Sequence, residues 1–360
     1  MRCCRGDGID RERIRLRRTE PGITLLLRES SDERSDPMKR QVALAVVVLA
    51  LLAAGCSGAD EADHDPGGEQ AATSSPSSSP SASSSASGAS PEGLGKVRLP
   101  ITPGAFVDGL VSVDGHHLAV HCRGSGRPAS VILHGWIDEP GVSSYGYYGG
   151  LMAALQRDFR VCSYDRANVG DSEAVPGMQT PEMVVGDLDG LMEALGDRGP
   201  YVLIGQSAGG MVASAYAVAH PDKVAGIVMV DASFDEEVTL EDVGMVPKGS
   251  GPCDPTNRRI DGRESLQKID NCAMYKWAYA RRDRRPEVPL VYLAAKQAPW
   301  SAVTDMGPAY AKDIVGLQKS YAASWSPGKF QWVDSGHEIH SEKPGVVADA
   351  VRWVVKEGRP

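Results

Sequence analysis

YVLIGQSAGGMV, residues 201–212, joins a short apolar run to the start of a helical pattern through a glycine-bounded turn that carries Ser207. Gly205, Gln206, Ser207, Ala208 and Gly209 spell G-x-S-x-G. In that pattern a serine is held on a strained strand-to-helix turn at the top of a parallel sheet, with its hydroxyl presented as a nucleophile. The chemistry explains the glycines. A turn this sharp brings its flanks so close that a Cβ at position 205 or 209 would collide with the neighbouring strand or helix. The following helix aims its first N–H groups and its positive end at the place where an oxyanion would form. Five letters match by chance in many chains, so the weight lies in the strand, turn and helix around them.

Outward from this stretch, apolar runs alternate with helical patterns. Strands are expected at 106–113, 117–122, 130–133, 160–164, 201–204, 226–230, 290–294 and 330–333, and helices at 150–155, 180–195, 209–219 and 345–355. From Ser130 onward the order is strand, helix, strand, helix, which implies a mostly parallel sheet covered on both faces. The 360 residues suit one or two globular domains, and a net charge of −9 gives no hint of a nucleic-acid partner.

Upstream of the folded region the composition changes twice. Residues 1–37 are rich in arginine and acid without sustained periodicity and read as an over-long leader, with Met38 as the start. Lys39 and Arg40, the apolar run 42–54 and Gly55-Cys56 have the layout of an export signal. That run makes a helix of about 20 Å, short of the roughly 30 Å hydrocarbon core, so a permanent span is not expected. Leu52-Ala-Ala-Gly-Cys56 resembles a bacterial lipobox, which implies lipidation at Cys56; ordinary cleavage and secretion is the alternative. Two acyl chains on that cysteine would suffice for stable anchoring. Residues 57–95, almost all Ser, Ala, Pro, Gly and a few acids, cannot bury enough surface to offset ordering entropy and read as a flexible tether of roughly 35 Å span. The folded domain is expected over 96–360.

Taken together and in order, several further residues carry a resemblance. They are His134-Gly135-Trp136, Tyr164-Asp165-Arg166 with Gly170 and Ser172, GQSAGG, His220-Pro221-Asp222, Val230-Asp231-Ala232-Ser233 and Gly336-His337. From about 100 to 357 the chain is similar to an α/β-hydrolase of the bacterial esterase or lipase-like kind. The resemblance implies an eight-stranded, mostly parallel sheet with a lid inserted between strands 6 and 7, about 233–287. It also implies a triad in the chain order Ser, Asp or Glu, His. His337, directly after Gly336, matches the family's base, and His340 three residues on is the alternative, more often a surface or capping residue. His134 and His220 read as structural. The acid position after strand 7, 293–299, holds no carboxylate, so the acid is expected at Asp231, at the end of strand 6, with Asp305 and Asp235 left open. Asp165 and Arg166, before the serine, read as loop ties. The oxyanion donors implied are the backbone N–H groups of Ala208 and Trp136.

Within the insertion, 264–282 reads as a helix with Leu266, Ile269, Met274, Trp277 and Tyr279 on its apolar face, which suggests a hydrophobic pocket. Arg281, Arg282, Arg284 and Arg285 read as a solvated lid edge. Of seven cysteines, Cys122, Cys162, Cys253 and Cys272 fall in the domain, an even number that fits an oxidising compartment. Cys253 and Cys272 both lie in the insertion. By the resemblance, Cys122 and Cys162 lie on neighbouring strands. The reading is of an exported, cofactor-free and metal-free serine esterase on a hydrophobic small-molecule ester, membrane-bound through Cys56 or secreted. Amidase, peptidase or thioesterase chemistry on the same triad, or a low-turnover binding protein, are the alternatives. Serine at the elbow argues against epoxide hydrolase and haloalkane dehalogenase relatives, which carry aspartate there.

Overall fold

The computed structural model of the chain describes residues 95–97, 101–102, 104–244, 251–253, 265–297 and 307–358. The expected leader 1–37, signal segment 38–56 with Cys56, the tether up to residue 94, and Asp305 lie outside the described residues.

Strands β1 (Val107–Val113), β2 (His116–Arg123), β3 (Ser130–Leu133), β4 (Val161–Tyr164), β5 (Tyr201–Gln206), β6 (Val224–Val230), β7 (Leu290–Ala295) and β8 (Gly328–Val333) form one sheet in the order β1-β2-β4-β3-β5-β6-β7-β8. β2 runs antiparallel to both neighbours and every other pair is parallel. A strand covered on both faces has no polar side, which is why SVIL, VAGIVMV and LVYLAA read as continuous apolar runs. Alternation then sorts them. Leu203, Ile227, Met229, Leu290 and Tyr292 enter one core layer, while Val202, Ile204, Val228, Val230, Val291 and Leu293 enter the other.

Helices α1 (Ser144–Leu155), α2 (Pro181–Ala194), α3 (Gly209–Ala219), α4 (Asn271–Tyr279), α5 (Gly307–Ala323), the single turn α6 (Ile339–Glu342) and α7 (Pro344–Glu357) cover the two faces. α1 and α7 pack together on one, through Leu151, Met152, Val347 and Val351. α2, α3 and α4 share the other, with Leu188, Met211, Tyr216 and Met274 in its core. α3 is buried along nearly its whole length, from Gly209 to Val218, as expected of a helix apolar on every side.

The expected helix over 264–282 is shorter, Asn271–Tyr279, because residues 265–270 are drawn out to bond elsewhere. Gln179 and Ile269 form a bridge, with Gln179 N–H donating to Lys268 O at 2.7 Å and Asp270 N–H to Gln179 O at 3.0 Å. Asp270 then caps α4 by accepting from Ala273 N–H at 2.9 Å. Ile269 and Met274 are buried, whereas Leu266 is exposed. The described part of the insertion also supplies Phe234 and Tyr275 to the main core.

The four cysteines of the domain form two disulfides, Cys122–Cys162 and Cys253–Cys272. The first links cross-strand partners of β2 and β4. Such bonds persist in an oxidising environment. Among the described residues no helix is long and apolar enough to cross a membrane.

Candidate functional site

Ser207 sits between the end of β5 and α3 with φ of +50°, a conformation costly for any residue with a Cβ. Main-chain bonds hold it there. Its N–H donates to Val230 O at 3.2 Å, and its carbonyl accepts from Gly210 at 3.1 Å and Ser233 at 2.9 Å. The flanking glycines are obligatory: a Cβ at Gly205 would lie 2.6 Å from Gly210 Cα, and one at Gly209 would lie 1.9 Å from Leu133 O.

Asp231 follows β6 at a φ of +41° and its side chain is buried. Its Oδ2 lies 2.7 Å from His337 Nδ1, and its Oδ1 accepts the Ala295 N–H at 3.0 Å. Ala295 ends β7, so that strand end contributes a backbone donor to a carboxylate one strand away. A carboxylate on Nδ1 fixes the imidazole's tautomer and leaves Nε2 as the nitrogen able to exchange a proton with a hydroxyl. The loop presenting His337 is tied back by Glu342, whose carboxylate accepts from Ser335 Oγ at 2.8 Å and Gly336 N–H at 3.0 Å, bonds that hold its pKa below the usual range.

Asp235, one of the alternatives for the acid, is committed elsewhere: Arg285 grips both its oxygens, at 2.9 and 2.8 Å. His340 is not on the surface as expected. It is buried, stacked on Tyr148 at 4.3 Å between ring centroids, and burial with the neighbouring His337 lowers its pKa to about 4. His220 packs against Tyr216 at a helix end, the structural role expected of it.

The His134–Trp136 loop lies directly against the elbow. A Cβ added at Gly135 would meet Gln206 Oε1 at 2.3 Å and Ser207 Cβ at 3.0 Å. Gly135 N–H donates to Tyr148 Oη at 3.0 Å, and Tyr148 in turn donates to Gln206 Oε1 at 2.8 Å. Among the hydrogen bonds of the described residues, none takes the main-chain N–H of Trp136 or Ala208. His134 is fully buried and kept neutral by burial and by Arg166; its Nδ1 donates to Gly135 O at 2.8 Å and its Nε2 accepts the Arg166 N–H at 3.2 Å. Asp165 ties loops, accepting the Ser144 N–H at 2.7 Å and the Asp171 N–H at 3.1 Å.

Tyr148, Asp138 and Gln267 escape sequence reasoning. Asp138 accepts the Trp136 indole N–H at 2.9 Å through one oxygen, and Ser265 Oγ and the Leu266 N–H, both at 2.8 Å, through the other. No motif marks them, since each acts by reaching a segment far away in the chain. Among the described residues no cluster of His, Cys, Asp and Glu could hold a metal ion.

The sequence profile of the alpha/beta hydrolase fold family matches residues 128–329. A 2-hydroxy-6-oxo-2,4-heptadienoate hydrolase of Pseudomonas putida is 25% identical over 235 residues, covering 64% of this chain and 72% of that protein. An uncharacterized Schizosaccharomyces pombe protein is 38% identical over 102 residues, 28% of this chain, and the match spans only 18% of its length. Among solved structures, a thermophilic esterase from Thermogutta terrifontis gives a TM-score of 0.45 at 23% identity, over 69% of this chain and 97% of that one.

Proposed function

The chain belongs to the α/β-hydrolase family, and from that premise we propose that it is a serine hydrolase cleaving carboxylic esters through Ser207, His337 and Asp231. The observation that carries the reading is the 2.7 Å bond from His337 Nδ1 to a buried Asp231, beside an elbow that holds Ser207 at positive φ. In this mechanism Ser207 Oγ attacks the ester carbonyl as His337 Nε2 takes its proton. The developing oxyanion is received by the N–H groups of Trp136 and Ala208 at the start of α3. Collapse expels the alcohol, which takes the proton from His337, and water activated by the same nitrogen frees the acid. Asp231 orients the ring and stabilises the imidazolium.

Hydrophobic esters are the proposed substrates: Trp136 follows the Gly135 that lies against Ser207, and its indole is tied through Asp138 to Leu266, an exposed apolar residue of the insertion. The chain is exported in this reading, with Cys56 as its lipid anchor. The two disulfides fit an oxidising compartment. The test pairs a fluorophosphonate probe with short-chain p-nitrophenyl esters. Wild-type protein is expected to be labelled and to turn over the ester, and Ser207→Ala to lose both signals. A labelled, active Ser207→Ala variant would sink the assignment.

A further inference from the structure

The N–H of Trp136 and the carbonyl of Gly135 belong to one peptide unit, and that carbonyl is gripped from behind. Arg166 Nη2 donates to it at 2.8 Å and His134 Nδ1 at 2.8 Å. In a trans peptide the C=O and N–H point in opposite directions, so pinning the carbonyl toward Arg166 aims the Trp136 N–H the other way. The preceding peptide is held as firmly, with Arg166 Nη1 on His134 O at 2.7 Å and Gly135 N–H on Tyr148.

The guanidinium is an unusual group to find here. It is 3% exposed, and its hydrogen-bond partners are dipoles: two carbonyls and Gln267 Oε1, at 3.1 Å from Nε and 2.6 Å from Nη2. Burial pulls its pKa down to about 10, which still leaves it charged at neutral pH. A buried cation bonded only to neutral groups is costly. Replacing it by an apolar chain would cost the loop its shape, but Arg166 also places a positive charge behind the proposed oxyanion donor. Hydrogen bonds in series polarise one another, and a charge acts strongly where water is excluded.

We propose that Arg166 is a positioning residue for acyl transfer: it fixes the Gly135–Trp136 peptide with its N–H toward the elbow and strengthens that N–H as a donor to the oxyanion. The inference rests on the reading of Trp136 N–H as an oxyanion donor. Arg166→Lys keeps the charge but loses the fork that spans two carbonyls and Gln267, and Arg166→Met loses both.

Fluorophosphonate titration counts intact sites, so turnover of a p-nitrophenyl ester can be expressed per titrated site. The expected result is a kcat per site lowered roughly 10- to 100-fold in Arg166→Lys and further in Arg166→Met, with KM within about threefold of wild type. The rate constant of phosphonylation should fall in parallel. A residue that only held the fold together would lower the titre and the melting temperature while kcat per site stayed at the wild-type value, and that result overturns the proposal. Should neither variant accumulate as folded protein, Gln267→Leu removes the side-chain acceptor of Nε and Nη2. It should still lower kcat per site severalfold, and wild-type turnover per site in it overturns the proposal equally. A wild-type chain that neither labels nor hydrolyses esters removes the acyl-transfer reading itself, whereas an active wild type with unaffected Arg166 variants removes only this inference.

Discussion

Ser207 and Asp231 are non-glycine residues at positive φ, on adjacent strand ends, and each such conformation costs about 1–3 kcal/mol. The sheet supplies the constraint: Ser207 N–H is fixed to Val230 O, and Asp231 N–H to Leu293 O at 2.7 Å. Each strand end is thus held by its neighbour, and Asp231→Asn should leave backbone and fold intact. What it changes is the ring it orients. An amide can offer His337 Nδ1 a donor in place of an acceptor, favouring the wrong tautomer, so kcat is expected to fall about 10³- to 10⁴-fold with little change in KM, read from ester hydrolysis. A second buried carboxyl makes a different prediction. Glu237 accepts from Tyr275 Oη at 3.1 Å and the Phe234 N–H at 3.3 Å, yet burial raises its pKa to about 8. The folded chain therefore binds a proton there that the unfolded chain, near the model-peptide value, has released. Its contribution to stability is fully present below about pH 4.5 and is lost as pH rises to about 8, at up to roughly 1.4 kcal/mol per pH unit. Thermal melts from pH 5 to 8 should show wild type losing stability relative to Glu237→Gln, and parallel curves would refute the assignment.

At the scale of elements, the strands were legible because those buried on both faces must be apolar throughout, and β3 and α3 match their expected spans residue for residue. Helices were less so. α1 begins at Ser144 with Ser143 as its cap rather than near residue 150, since Gly146, Gly149 and Gly150 blur the helical pattern in between. α5 was not read at all, though β7 and β8 run parallel and a parallel pair needs a crossover, usually a helix. Ile314, Gln318 and Tyr321, all buried, fall on one face of that helix, but a glutamine among them breaks the apolar spacing. Disulfides carry what the insertion's polar sequence does not. Cys253 and Cys272 are 19 residues apart, and closing a loop of that length stabilises by about 3 kcal/mol through the unfolded state. The Cys253→Ser, Cys272→Ser double variant should melt lower by several degrees, while keeping kcat, because Asp231, His337 and the elbow hang on the sheet. A loss of kcat per titrated site at unchanged melting temperature would show instead that the bridge shapes the site.

Across the whole molecule, the site is assembled where β3, β5, β6 and β8 end on one edge of the sheet, so its parts come from residues 134 to 337. Ser207 and His337 stand out as candidates in the sequence because each sits in a short local pattern. Asp231 is the expected acid there, with Asp235 and Asp305 left open; of the two that lie among the described residues, Asp231 meets His337 while Asp235 is held by Arg285. In composition, residues 57–94 offer almost no apolar side chains, which is the basis for reading them as a tether. A chain starting at Ser85, the first residue of the compact unit that extends to Pro360, is therefore expected to match the full chain in melting temperature, within about 2 °C, and in kcat per titrated site within about twofold. Location should divide the two proteins where activity does not. In a bacterial host that lipidates exported cysteines, ester hydrolysis should sediment with membranes for the full chain and move to the soluble fraction for Cys56→Ser. A shortened chain that melts much lower, or activity that stays with the membranes after Cys56→Ser, would mean that the upstream residues do more than tether.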